Sequence, residues 1–276
     1  MSQRTIKKPA AAYNGTLRLK DDAMHYVRFG RGSKVLIMLP GLGDGLTTVK
    51  GTALAMAWLY RAYAREYTVY MFSRRNHLPQ GCSTQDMARD LREAMDILSI
   101  QRADLVGVSM GGMIAQHFAA DYPERVERLV LVVTAAQSNP ILEESLREWV
   151  SLAGHGDHTA LMDSNVRRMY SDAYYRKNRW LIPIMGKLTK PKSYTRFFIQ
   201  ANACQSHCAS SRLASIHAPT LVIGGGQDRV LGPDASRMIA AAIPGSSLRM
   251  YHEWGHALYD EAKDFHHTVL SFLSKP

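Results

Sequence analysis

The chain is short of the features that usually give a protein away. Cys82, Cys204 and Cys208 are the only cysteines among 276 residues. An odd number without regular spacing offers no disulfide framework, and it implies a reducing compartment, most simply the cytoplasm. No apolar run approaches the ~20 residues that a spanning helix needs, so no membrane partner is expected. The opening stretch MSQRTIKKPAAAYNG has early positive charge and no apolar core behind it, which predicts no signal peptide. Low-complexity tracts, internal repeats and flexible linkers are missing too. At 46% hydrophobic residues the chain has the composition of a globular protein able to bury a large core.

Acidic residues are also in deficit, with 24 Asp and Glu against 34 Lys and Arg, a formal net charge of +10. The excess is regional. Residues 1–34 carry eight Lys or Arg against two Asp, residues 167–196 carry nine against one, and the remainder is mildly acidic. No zinc-finger spacing or RNA-binding aromatic motif accompanies either stretch, so a nucleic-acid partner is not expected. Two solvated basic faces are the plain reading, and a preference for anionic substrates is the sharper one.

What the chain does have is alternation. GTLRLK and AMHYVRF, on either side of Asp21-Asp22, read as a hairpin. Short apolar strands follow at 35–39, 67–72, 105–108, 128–133, 220–224 and 247–251, separated by helical stretches. One helix is predicted near 46–64. Another places Met87, Leu91, Met95 and Leu98 on one face behind a Ser83–Asp86 capping box. A third runs to Tyr122 before Pro123, a fourth starts at Pro233, and a last one aligns Leu258, Ala262, Phe265, Val269 and Phe272. Unbroken apolar strands alternating with helices predict an α/β fold, a mostly parallel central sheet covered by helices on both faces. Residues 138–215 break the rhythm with helical patches, aromatics and much of the positive charge. Too long for a bare loop, they read as an inserted helical cap, leaving 1–137 and 216–276 as the core.

The stretch LVGVSMGGMI, residues 105–114, sets Ser109 between Gly107 and Gly111 at a strand-to-helix junction. A sharp turn there exposes the hydroxyl, the small residues Gly111, Ala115 and Ala119 let the helix pack tightly, and the helix start offers free N–H groups. A lone serine needs a base oriented by a third group. Asp228 follows strand 220–224, and His256 follows strand 247–251. Ends of parallel strands share one edge of the sheet, so Ser109, Asp228 and His256 are expected to converge there. The glycine-rich turn PGLGDG after strand 35–39 ends on that edge too. It is expected to supply an oxyanion hole from the backbone N–H groups of Leu42 and Met110.

These residues together resemble the α/β-hydrolase superfamily, over nearly the whole core: the order Ser109–Asp228–His256, the G-x-S-x-G elbow, the Gly-Gly-Gly-Gln-Asp acid loop, and Gly255-His256 before the last helix. The resemblance extends to members with a helical cap after the strand that follows the elbow helix. This chain departs from many relatives in having Pro40-Gly41 where they have His-Gly. It also has FSRRNHLPQGCS where they have Asp-x-x-Gly, with Asn76 and His77 read first as a solvated loop and alternatively as lining the rim of the site. Asp44 is read as capping the following helix or fixing its turn, and Asp260 and Glu261 as serving the first turn of the last helix. His155 and His158, without a third ligand, are not read as a metal site. Cys204 and Cys208 are expected on one helix face. A dinucleotide site fails because PGLGDG departs from G-x-G-x-x-G.

The expected function is a serine hydrolase cleaving a small carboxylic ester, thioester or lactone, with no cofactor and no metal. The resemblance leaves open lyase, acyltransferase or perhydrolase chemistry, and a slow-turnover receptor. The cap aromatics Trp149, Tyr170, Tyr174, Tyr175, Trp180, Tyr194, Phe197 and Phe198 are candidates to wall the pocket. Arg176, Lys177 and Arg179 are candidates to bind an acidic substrate. Oligomeric state is not read from the sequence.

Overall fold

The computed structural model describes residues 12–20 and 22–275; Asp21, one of the pair expected at the first turn, lies outside the described residues. The predicted hairpin is β1 (Tyr13–Arg18) and β2 (Ala23–Gly30), paired antiparallel. Next come β3 (Lys34–Leu39), β4 (Tyr67–Arg75), β5 (Ala103–Val108), β6 (Val126–Val132), β7 (Thr220–Gly225) and β8 (Ser247–Tyr251). The eight strands form one sheet in the order β1-β2-β4-β3-β5-β6-β7-β8, with every pairing from β4 onward parallel. β4 is longer than its apolar run implies, because Arg75 still pairs with Met24 of β2.

Alternation along each strand divides the core into two layers. Ile37, Leu39, Leu105, Leu129, Leu131 and Val222 face α2 (Thr84–Ile97), α3 (Met110–Asp121) and α9 (Asp234–Ala242). Leu36, Met38, Val106, Val130, Val132 and Ile223 face α1 (Ala53–Leu59) and the C-terminal helices. The capping box is formed: Ser83 Oγ accepts from Asp86 N at 3.1 Å, and the Asp86 carboxylate accepts from Ser83 N at 2.9 Å.

Two helices differ from their sequence pattern. The stretch 46–64 is helical only over α1, since Gly51 takes φ +81° and Val49 N–H donates to Ser73 Oγ instead of to a helical carbonyl. The last helix is two, α10 (Leu258–Glu261) and α11 (Phe265–Leu273). Leu258, Ala262, Phe265, Val269 and Phe272 are nonetheless all buried, so the spacing identified the inward residues without revealing the break at extended Ala262.

Between β6 and β7 lie α4 (Pro140–Gly154), α5 (His158–Met169), α6 (Asp172–Asn178), α7 (Ile182–Leu188) and α8 (Thr195–Gln205). Cys204 is buried on α8, whereas Cys208 lies beyond the helix end and is exposed, so the two do not share a helix face.

Candidate active site

At the end of β5 the chain reverses sharply into α3, and Ser109 at the junction has φ 53° and ψ −120°. A positive φ in a non-glycine residue costs of order ~1–3 kcal/mol and persists only where its surroundings hold it. Here Ser109 N–H donates to Val132 O at 2.9 Å, and Ser109 O accepts from Thr134 Oγ1 at 2.7 Å. Gly111 permits the geometry by close approach, since a Cβ there would lie 2.0 Å from Leu39 O. The helix start therefore rests directly on the end of β3.

The turn after β3 passes beside the serine. A Cβ on Gly41 would come within 3.3 Å of Ser109 Cβ and 3.8 Å of its Oγ. Leu42 opens a single helical turn, Leu42–Gly45, and Met110 opens α3. N–H groups at such starts have no intrahelical acceptor.

The acid and the imidazole are brought together by backbone packing. Side chains on Gly225 and Gly226 would collide with Gly255 O (2.4 Å) and with His252 backbone (2.8 Å). Their absence lets Gly226 N–H donate to Tyr251 O and Gln227 N–H to Trp254 O. With the loops fixed, His256 Nδ1 lies 2.8 Å from Asp228 Oδ2, both side chains buried. Asp228 Oδ1 accepts from the N–H groups of Val230 (2.8 Å) and Leu231 (3.0 Å), which leaves the carboxylate one direction in which to face the ring.

Ser109 and His256 border one cavity of about 490 Å³, together with Gly41, Leu42 and Gly43. The cavity extends between α1 and the C-terminal helices, where Met56, Leu59, Tyr60, Tyr63, Tyr259, Asp260 and Phe265 line it. From the inserted helices it receives Trp149, Asn165 and Met169. Of the eight cap aromatics singled out in the sequence only Trp149 reaches it; the aromatic wall comes from Tyr60, Tyr63 and Tyr259 of the core. Arg176, Lys177 and Arg179 are exposed on or just after α6 and do not line the cavity. His77 points outward and pairs with Asp22, and His158 is buried against Thr189.

The inserted helices are tied to each loop of the site. Asn139 Nδ2, at the start of α4, donates to Leu231 O beside Asp228. Ala257 N–H, next to His256, donates to Met169 O at 2.9 Å. Asp44 does fix its turn, in a way that sequence reading missed. Its buried carboxylate accepts from Arg74 N–H (3.1 Å), Arg196 Nη2 (2.9 Å) and Gln200 Nε2 (3.3 Å), which fastens α8 to the turn carrying Leu42. Arg74, also buried, donates to Pro40 O. Asp260 and Glu261 are likewise more than helix-end charges. Tyr170 Oη donates to Asp260 Oδ2 at 2.7 Å, and Ser171 donates from N–H and Oγ to Glu261. Only the residue type is visible locally at these positions; Arg74 lies 30 residues from Asp44, and Arg196 and Gln200 lie 152 and 156 residues from it.

The sequence pattern of the alpha/beta hydrolase fold family matches residues 34–263. Across 99% of its length the chain is 28% identical to a 2-hydroxy-6-oxononadienedioate/2-hydroxy-6-oxononatrienedioate hydrolase of Pseudomonas putida, covering 98% of that protein. In structure it is similar to MGS-M2, an alpha/beta hydrolase from a Medee basin deep-sea metagenome library. The TM-score is 0.82 at 20% identity, over 95% of this chain and 98% of that one. It is also similar to the enol-lactonase of Burkholderia xenovorans LB400, with a TM-score of 0.76 at 23% identity, over 95% and 100% of the two chains.

Proposed function

The chain belongs to the alpha/beta hydrolase fold family, and from that premise we propose that it is a serine hydrolase acting on a small carboxylic ester, thioester or lactone through an acyl-enzyme. The observation that carries the proposal is the buried His256–Asp228 pair, whose imidazole borders the same cavity as a strained Ser109. With Nδ1 donating to Asp228, His256 keeps Nε2 to accept the Ser109 proton as the hydroxyl attacks the carbonyl. Asp228 stabilises the imidazolium that results. The N–H groups of Leu42 and Met110 face the charge that develops on the carbonyl oxygen, a contribution commonly worth ~10²–10³ in turnover per donor. His256 then returns its proton to the leaving alcohol or thiol, and a water deprotonated by the same ring releases the acid.

A second reading comes from the relatives whose names specify an oxo-dioate: the same machinery hydrolysing a carbonyl compound with carboxylates at both ends. Multiple-turnover assays on para-nitrophenyl esters from acetate to octanoate, with Ser109→Ala beside the parent, test the proposal. Turnover that collapses at least ~10³-fold in the variant is expected, and the best chain length sizes the cavity. Equal rates in both proteins would remove Ser109 from the chemistry. A single turnover without a second would favour a receptor.

A further inference from the structure

Asp260 stands at the cavity wall in a setting no helix-end role explains. Its neighbour Glu261 is occupied by Ser171. The other carboxylate lining the cavity, Asp44, is paired with Arg196. Asp260 has no protein cation within ion-pair distance among the described residues; Tyr170 Oη alone donates to it. Asp260 lines the cavity but is itself solvent-exposed, with neighbouring groups desolvating part of its carboxylate. Tyr60 and Tyr259 line the cavity with it, and Tyr170 is stacked on Tyr174 with ring centroids 4.1 Å apart. Among the described residues no lysine or arginine lines the cavity.

We propose that Asp260, with the aromatic walls of Tyr60 and Tyr259, is the subsite for the far end of the substrate, and that it takes a cation, an ammonium group on the acyl or alcohol portion, while rejecting a carboxylate. The proposal rests on the hydrolase reading above. A carboxylate flanked by tyrosine rings offers an ammonium both Coulomb attraction and the negative faces of the π-systems. A dicarboxylate in the same cavity meets one fixed negative charge and no compensating positive one. The substrate class thus differs from the oxo-dioate in the names of the sequence relatives. The basic outer surface repels cations over long distances, but salt screens that effect beyond about 10 Å, whereas an ammonium held in the subsite meets Asp260 and the tyrosine rings at contact distance.

Burial, followed by the nearby charge of Glu261, holds the Asp260 carboxyl above the usual carboxylate range, against the opposing hydrogen bond from Tyr170. The preference for a cation accordingly fades as pH falls and the carboxyl takes up its proton.

The test is a ratio. Activity (kcat/KM) is measured on para-nitrophenyl esters of ω-trimethylammonio-pentanoate and of adipate, its other carboxyl free, at moderate salt. The parent is expected to favour the cationic ester by at least about tenfold, and Asp260→Asn to reduce that ratio by about tenfold or more. General damage to the fold lowers both rates and leaves the ratio unmoved. A parent that prefers the adipate ester, or a ratio unchanged in Asp260→Asn, overturns the proposal. Should the variant not fold, the parent's own pH profile decides: a ratio that does not fall with pH is the overturning result. Calorimetric binding of pentyltrimethylammonium against hexanoate to the full chain separates the two proposals. If no ester is turned over, or if hydrolysis survives Ser109→Ala, the hydrolase reading fails, and tighter binding of the ammonium than of the carboxylate still supports the subsite.

Discussion

His207 is buried with its ring edge-on to His117, centroids 5.1 Å apart, and its Nδ1 lies 2.9 Å from Thr84 Oγ1. Burial, then the second imidazole, pushes its pKa from 6.5 down to about 3. The native state therefore keeps the ring neutral where the unfolded chain would protonate it. The stability this contributes is complete above the unfolded pKa of 6.5 and is lost as pH falls from there toward 3. The slope for one such group reaches about 1.4 kcal/mol per pH unit. Urea unfolding at a series of pH values should show stability falling below the histidine range, less steeply in His207→Gln. An identical slope in parent and variant would show that the ring protonates in place. At this scale the sequence is least informative, since nothing adjacent to His207 tells a buried imidazole from an exposed one.

Among the elements, α8 matters most for the site. Through Arg196 it reaches Asp44, whose side chain is only 1% exposed, on the turn that presents Leu42. Removing the cation leaves a buried carboxylate short of a partner, a change that typically costs ~3–5 kcal/mol. Arg196→Met is expected to lower the unfolding free energy by about 3 kcal/mol. Adding Asp44→Asn to that variant should recover part of the loss, which a double-mutant cycle by chemical denaturation would measure. A loss below ~1 kcal/mol for Arg196→Met would mean the pair behaves as a surface ion pair. The capping box of α2 makes the contrast. Ser83 and Asp86 are three residues apart, their geometry is local, and the sequence was enough to find them.

For the molecule as a whole, the question is where its charge faces. The helices between β6 and β7 carry the basic cluster, yet Arg176, Lys177 and Arg179 are exposed to solvent while the cavity lining includes Asp260. Replacing all three by glutamine should leave the ratio of activities on cationic and anionic esters within about twofold at moderate salt, because solvent-exposed charges that make no contact with the ligand are weakened by water and salt. A tenfold change would bring those residues back to the site. The expectation of an acidic substrate depended on which way a helix face turns, and that is set by how α6 and α7 pack on α5.

By itself the sequence determined the alternation of strands and helices, the parallel sheet, the inward residues of α2 and α11, and the order Ser109–Asp228–His256. Each depends on periodicity or on a short motif, and the rule that parallel strands end on one edge brings the three side chains together. Only the tertiary structure decided that Asp44 answers to Arg196, that Tyr170 and Asp260 meet, and that the cavity runs under α1 toward Tyr60 as well as against Trp149, Asn165 and Met169 of the inserted helices. Those contacts join residues 90 to 152 positions apart. Their neighbours in sequence fix a helix or a turn, but the partner each side chain meets is chosen by the packing of whole elements against one another.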